Sequence, residues 1–345
     1  MAWLNTATRR HVLIASALPL AAWLLASHPA NAQTTEIRLA TQPSLSFTPL
    51  FVMKEKKLIE KHAAALGFEG ITTAWSSFSS GNVMNDALLA NQLDVAAGGV
   101  PGALLLWDRT RGKGASEVKG MAAINSASFT LFTTRPEVKS VKDLTEKDRI
   151  AVPAVKSSMQ AVLLQMAAAQ AFGEKEWAKL DVLTVAMAHP DAYSLLASGK
   201  SELTGHFSGP PFQYDQIKDP RLKKVLASSE VTGGPMTMNM IWSMARFHDA
   251  NPKAYKAVLL ALDEALEFTR KDPRAAGELY MANVKSKVQI DDVLAGLTDP
   301  ETTFSSTPLR SSALANFLVG TGVLKTKMDS WKDFFFAEVH DKSGS

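Results

Sequence analysis

Strand-like and helix-like patterns alternate along the first third of the chain. Glu36 to Thr41 reads as a strand, and Pro49 to Ala65 carries the three-and-four spacing of a helix. Ile71 to Trp75, rich in β-branched and aromatic residues, reads as a second strand, and Val83, Ala87 and Leu88 return to helical spacing. Leu93 to Ala97 is a third strand, followed by a helix from Pro101. Repeated β-α alternation predicts a mostly parallel sheet covered by helices. The pattern restarts after Ser128: Phe129 to Thr133, Ile150 to Val152, Val182 to Ala186 and Glu202 to His206 read as strands. Helices are expected at Ser157 to Ala171 and Asp191 to Leu196. From Asn251 onward the pattern is helical, with Tyr255, Val258, Leu262, Ala265 and Leu266 on one stripe, and this run is expected to pack on the first sheet without strands of its own.

A complete α/β unit thus lies inside another, which requires two crossings, near Ile124 to Ser128 and near Asn239 to Ser243. The expected organisation is one lobe from 34–124 plus 239–345 and a second from 125–238, joined by two hinge strands.

Six strand-to-helix turns carry small polar residues or proline. Ser44 to Pro49, the segment WSSFSSGN from Trp75 to Asn82, and Gly98 to Pro101 belong to the first unit; Val155 to Met159, His189 to Asp191, and His206 to Phe212 belong to the second. Serine caps a helix in any protein, so one such turn says little. Six at the carboxyl edges of two sheets are expected to converge on one cleft, where free helix N-H groups favour an anion or a strong acceptor. The residues expected to face a ligand are Ser46, Phe47 and Thr48 in the first turn, and Ser76, Ser77, Phe78 and Ser79 in the second. Gly99 and Val100 follow the third strand, Lys156, Ser157 and Ser158 open the long helix of the second unit, and His206 and Phe207 end its last strand.

Composition narrows the function classes. The first 32 residues hold Arg9 and Arg10 but no acid, run through the apolar stretch Val12 to Leu25, and end in Ala30-Asn31-Ala32, the layout of a cleaved export signal. Thr8-Arg-Arg-His-Val-Leu13 also fits a twin-arginine signal. The apolar run is short for a bilayer span, so a soluble periplasmic protein is expected. The formal charge of +3 falls to +1 when two arginines and no acid are removed, which gives no basis for nucleic-acid or membrane binding. With no cysteine, disulfides, thiolate metal sites and cysteine lipidation are excluded. The seven histidines show no metal-ligand spacing, and no nucleophile elbow, phosphate loop or dinucleotide fingerprint occurs. His206 and Asp215 are the nearest approach to an acid-base pair. Half of the methionine-rich Pro235 to Met244 is expected to be core packing. No cofactor, metal or catalytic residue is expected.

Asn91-Gln-Leu-Asp-Val-Ala-Ala-Gly-Gly99, Ile150-Ala-Val-Pro-Ala-Val-Lys-Ser-Ser-Met-Gln160 and Pro190-Asp-Ala-Tyr-Ser-Leu-Leu-Ala-Ser-Gly199, in this order, resemble substrate-binding proteins of nitrate/sulfonate/taurine-type ABC transporters. The resemblance implies an α/β, two-lobed periplasmic-binding-protein fold of type II with C-terminal helices packed on lobe one. It also implies a monomer that captures a small-molecule ligand and delivers it to an ABC transporter permease. Thiamine-precursor binders and enzymes belong to the same superfamily, so a cofactor-free periplasmic enzyme is the alternative, although their cysteine signature is missing here. Where many relatives carry Glu-Pro or Asp-Ala after the second-lobe strand, this chain has Gly205-His-Phe-Ser-Gly-Pro-Pro211. None of the six turns holds an arginine, and aromatic residues flank several of them, so the expected ligand is a small organic anion, sulfonate or carboxylate, aromatic ones included.

Overall fold

The computed structural model describes residues 34–79, 81–234, 236–285 and 288–345; the expected export signal lies outside them. β1 (Glu36–Thr41) leads through a tight turn at Leu45–Phe47 into α1 (Thr48–Glu55), where Pro49 occupies a first-turn position that has no helical bond to lose. The single helix expected up to Ala65 is two: Lys57 adopts a left-handed φ of 49°, and α2 (Leu58–Ala65) restarts after it. β2 (Thr72–Ser77), α3 (Gly81–Leu89), β3 (Val95–Gly99) and α4 (Val100–Thr110) follow, and β4 (Val118–Ser126) takes the chain out of the first sheet.

The inserted unit contains β5 (Thr130–Thr133), β6 (Ile150–Val152), α5 (Met159–Phe172), β7 (Thr184–Ala186) and α6 (His189–Ser198). It continues through β8 (Gly205–Ser208), α7 (Phe212–Gln216), β9 (Lys223–Ala227) and α8 (Ser228–Thr232). The chain rejoins the first sheet as β10 (Thr237–Met244). α9 (Ala245–Ala250), α10 (Pro252–Lys271), α11 (Pro273–Val284), α12 (Ile290–Leu297), β11 (Thr303–Phe304) and α13 (Ser311–Gly320) complete the described elements.

The first sheet has the order β11-β4-β10-β3-β1-β2 and the second β7-β6-β8-β5-β9. Both are mixed rather than mostly parallel. β2-β1-β3 and β7-β6-β8 are parallel, as crossover helices require, whereas β10 runs antiparallel to β3 and β4, and β5 to β8 and β9. β10 and β5 are the strands by which the chain arrives from the other sheet, so no crossover helix dictates their direction. β10 is buried along all of its length, so its methionines pack on both faces instead of half of them. The stripe on α10 is buried against the first-sheet side, with α1 and α2 over it. The C-terminal run does carry a strand, since Thr303 and Phe304 pair with Ser126 and Asn125 at the sheet edge. Among the described residues, no helix is long and apolar enough to cross a membrane, and no cluster of His, Cys, Asp and Glu could hold a metal ion.

Candidate ligand-binding cleft

A strand order 2-1-3 reverses direction between β1 and β3, and β7-β6-β8 reverses between β6 and β8. At such a reversal the connecting helices leave on opposite faces and a crevice opens at the carboxyl ends of the two strands. The two crevices face each other across one cavity of about 40 Å³, room for about three water-sized groups. From the first sheet, Gln42, Ser44, Ser46 and Phe47 line it after β1, Gly99 and Gly102 after β3, and Asn239 from β10. From the second, the stretch Pro153 to Gln160 after β6 contributes all but Val155 and Lys156, and His189 follows β7, while Phe129 lies on the connection. The two halves meet closely at Gly99, where a Cβ would stand 3.4 Å from the backbone nitrogen and Cβ of Met159, ordinary van der Waals contact.

Of the residues expected to face a ligand, the structure brings Ser46, Phe47, Gly99, Ser157 and Ser158 to this cavity. Thr48 and Val100, one residue further on, turn into the core, and the Thr48 hydroxyl donates to the Leu45 carbonyl at 2.7 Å. Ser76 and Ser77 are exposed residues of β2, paired with Ala40 and Thr41. β2 is the edge strand, one strand away from the β1–β3 reversal, so Phe78 and Ser79 at its end also stand off the cavity; among the described residues of that segment, Gly81 lines it. Lys156 is exposed, with a left-handed φ of 62°. Phe207 is fully buried core, and His206 stands one residue behind the wall.

That wall is a chain of side chains. Gln160 Nε2 lies 3.0 Å from His189 Nε2, His189 Nδ1 lies 2.9 Å from His206 Nε2, and His206 Nδ1 contacts the Gln216 amide at 3.2 Å. Burial pushes the His189 pKa down to about 4 and, together with the charge of its neighbour, takes His206 well below the ordinary histidine range. Both rings are therefore neutral near pH 7, and the bonds can run either way along the chain with one end amide rotated. Outward, Gln216 donates to His206, His206 Nε2-H to His189 and His189 Nε2-H to a rotated Gln160. Inward, Gln160 donates to His189, His189 Nδ1-H donates to His206, and His206 Nδ1-H points at Gln216. Gln216 Oε1 is a buried oxygen with no partner, and rotating that amide by half a turn supplies the acceptor. Phe212 stacks on His189 with ring centroids 6.4 Å apart, which holds the ring in place.

No lysine, arginine, aspartate or glutamate lines the cavity among the described residues. Its donors come from the backbone. α4 and α6 follow Gly99 and Ala188, which offer no side-chain cap. Pro101 and Pro190 carry no N-H and the Asp191 N-H bonds the Ala188 carbonyl at 3.1 Å, so the N-H groups of Val100 and His189 are the ones left without a helical acceptor at their first positions. On α5 the Ser158 hydroxyl caps the Ala161 N-H at 3.3 Å and donates to the Ala154 carbonyl at 2.7 Å, leaving earlier N-H groups for the cavity. The Ser46 hydroxyl is buried in the wall without a partner. A second contact closes one flank of the cleft: Ser44 Oγ donates to the Pro210 carbonyl at 3.4 Å, and the Tyr214 hydroxyl and Lys218 ammonium near α7 reach Asp299 and Asp292 of the α12 region. Sequence reasoning missed Gln42, Gln160 and Asn239. Asn239, polar within the buried alternation of β10, was the one signal available.

A model of the NMT1-like family matches residues 30–282. The chain belongs to the NMT1-like family. No curated protein sequence matches this NMT1-like chain. The alkanesulfonate-binding protein SsuA from Xanthomonas axonopodis pv. citri, bound to MOPS, superposes with a TM-score of 0.66 at 16% identity, over 85% of this chain and 95% of that one. SsuA from Escherichia coli, a periplasmic aliphatic sulphonate-binding protein, gives 0.64 at 16% identity over 88% and 92%. The periplasmic nitrate-binding protein NrtA from Synechocystis PCC 6803 gives 0.67 at 16% identity over 87% and 85%. At such identities the likeness is one of fold: the two sheets are the two lobes of a periplasmic-binding-protein architecture, in agreement with the resemblance carried by the three motifs.

Proposed function

We propose that this NMT1-like chain is an extracytoplasmic solute-binding protein. It captures a small organic anion, a carboxylate or a sulfonate, between lobe one (34–124 and 239–345) and lobe two (125–238), and delivers it to an ABC permease. The observation that carries the reading is the convergence of helix N-termini without side-chain caps from both lobes, with the buried unpartnered Ser46 hydroxyl, on one cavity that no charged side chain lines among the described residues. Oriented N-H groups at positive dipole ends bind an anion without a guanidinium. The sulfonate and nitrate binders of the same fold point the same way. Binding rather than turnover is supported by His189, among the described residues the one titratable side chain that lines the cavity itself, whose two ring nitrogens are both engaged inside the protein. A ligand that touches both lobes favours the closed form, which the permease then reads.

The test is calorimetric titration with alkane- and arylsulfonates, carboxylates and nitrate, with small-angle scattering on the same samples. Expected are binding by an organic acid, a higher melting temperature and a smaller radius of gyration. Tight binding without compaction would count against closure, and a product found by mass analysis after incubation would establish an enzyme.

A further inference from the structure

Two amides on the lobe-one wall can be oriented without ambiguity. The Asn125 side chain meets the Ser46 carbonyl at 3.1 Å, and a carbonyl only accepts, so that contact is Nδ2-H. Asn125 therefore turns Oδ1 toward Asn239, at 3.0 Å, and Asn239 must present its own Nδ2. This leaves Asn239 Oδ1 with no donor among the described residues. Gln42 is set in the same way: its Nε2 donates to the Ala97 carbonyl at 3.2 Å, and Oε1 is left over. Both residues line the cavity, next to the buried Ser46 hydroxyl, which also lacks a partner. A cavity whose donors are backbone N-H groups thus has a second feature, a pair of fixed amide oxygens that accept and cannot donate. A carboxylate or sulfonate alone would leave them facing oxygen. An ammonium group would satisfy them but would enter a wall that offers no carboxylate, and a buried unpaired charge is expensive.

We propose that the site selects a solute carrying a neutral O-H or N-H donor, a hydroxyl, carbamoyl or ureido group, a few bonds from its acceptor head, and that Asn239 and Gln42 read that donor. The inference rests on the cavity being the solute site and deepens that reading from head group to tail. Asn125 acts through Asn239 as a positioning residue, since it alone dictates which end of the Asn239 amide faces the ligand.

Three isosteric tails on one head isolate the effect: isethionate (hydroxyl), 1-propanesulfonate (methyl) and taurine (ammonium). The same comparison is made on 3-hydroxypropanoate, butanoate and β-alanine, and on uncharged 3-hydroxypropanamide against butanamide. Expected is a preference for hydroxyl over methyl of about tenfold or more on whichever head binds, because the methyl leaves buried oxygens unpaired, with the ammonium weaker than the hydroxyl. In Asn239→Leu and in Gln42→Met the hydroxyl-to-methyl ratio should fall toward one; thermal melts establish that each variant folds, and either variant serves if the other does not. Sulfonates or carboxylates binding with equal affinity for hydroxyl and methyl, or best with ammonium, overturn the inference and leave the anion reading intact. Amide-headed compounds binding alone, hydroxyl over methyl, remove the anion reading and support the donor inference. Binding by no member of the three sets overturns both.

Discussion

Two serine-rich turns of similar composition have different fates. The turn after β2, Phe78 to Ser79, follows two exposed strand serines and stands off the cavity, whereas Ser157 and Ser158 after β6 form part of its wall. Both precede a helix. β2 is an edge strand, and β6 flanks the reversal of strand order in its sheet. A turn becomes part of a site through its place in the sheet order, because only beside a reversal do neighbouring turns diverge and leave a crevice. Composition alone does not distinguish the two.

The largest expected effect comes from acid, which attacks the wall beneath the β6 turn and spares the β2 turn. His189 has a folded pKa of about 4, below the ordinary value. Above about pH 6.5 neither folded nor unfolded chain holds that proton, and the neutral ring is no burden. As pH falls toward 4 the unfolded chain takes up the proton that the folded chain refuses, so stability should drop by on the order of 3 kcal/mol. Urea unfolding from pH 7 to 4 measures the loss, and a His189→Gln chain should give a flatter curve; parallel curves for the two proteins would show that the ring does not titrate as buried. Next in size is a plug. Gly99→Phe, with its Cβ against Met159, should lower ligand affinity about a hundredfold, while Ser79→Phe stays within about twofold. Equal losses in calorimetry would put the β2 turn back in the site. The smallest effect separates cap from surface. Ser158→Ala removes a helix cap and should cost about 1 kcal/mol in denaturant unfolding, against less than about 0.5 kcal/mol for Ser76→Ala or Ser77→Ala on the exposed edge. A similar cost at all three positions would mean that the edge serines hold structure that their exposure does not suggest.

The alternation of strand and helix was legible because hydrophobic periodicity is local, and β1, β6 and α10 lie close to where the pattern put them. Strand direction was less so. β10 and β5 pair antiparallel because of where the chain comes from, which no window of residues records. Of the site, the turns were legible and the depth was not: in Ser46-Phe47-Thr48 the first two residues line the cavity while Thr48 starts a helix and points into the core. His206 was visible as a lone histidine at a strand end, but its partner His189 arrives from the start of α6, 17 positions away.

The sequence by itself determined the class of the protein: a doubled β-α alternation, no cysteine, a small net charge, capped and proline-started helices, and three ordered motifs of a binding-protein family. Each of these is set by neighbours along the chain, by the period of burial or by the backbone preference of single residues. The tertiary structure decided which turns meet, that Gly99 faces Met159 across the cavity, that Asn125 fixes Asn239, and that two buried histidines keep the wall neutral. Those are properties of pairs brought together from 114 and 17 positions apart, and their energies depend on burial and on the direction of each hydrogen bond, quantities that come into being only when strands and helices distant in the chain pack together.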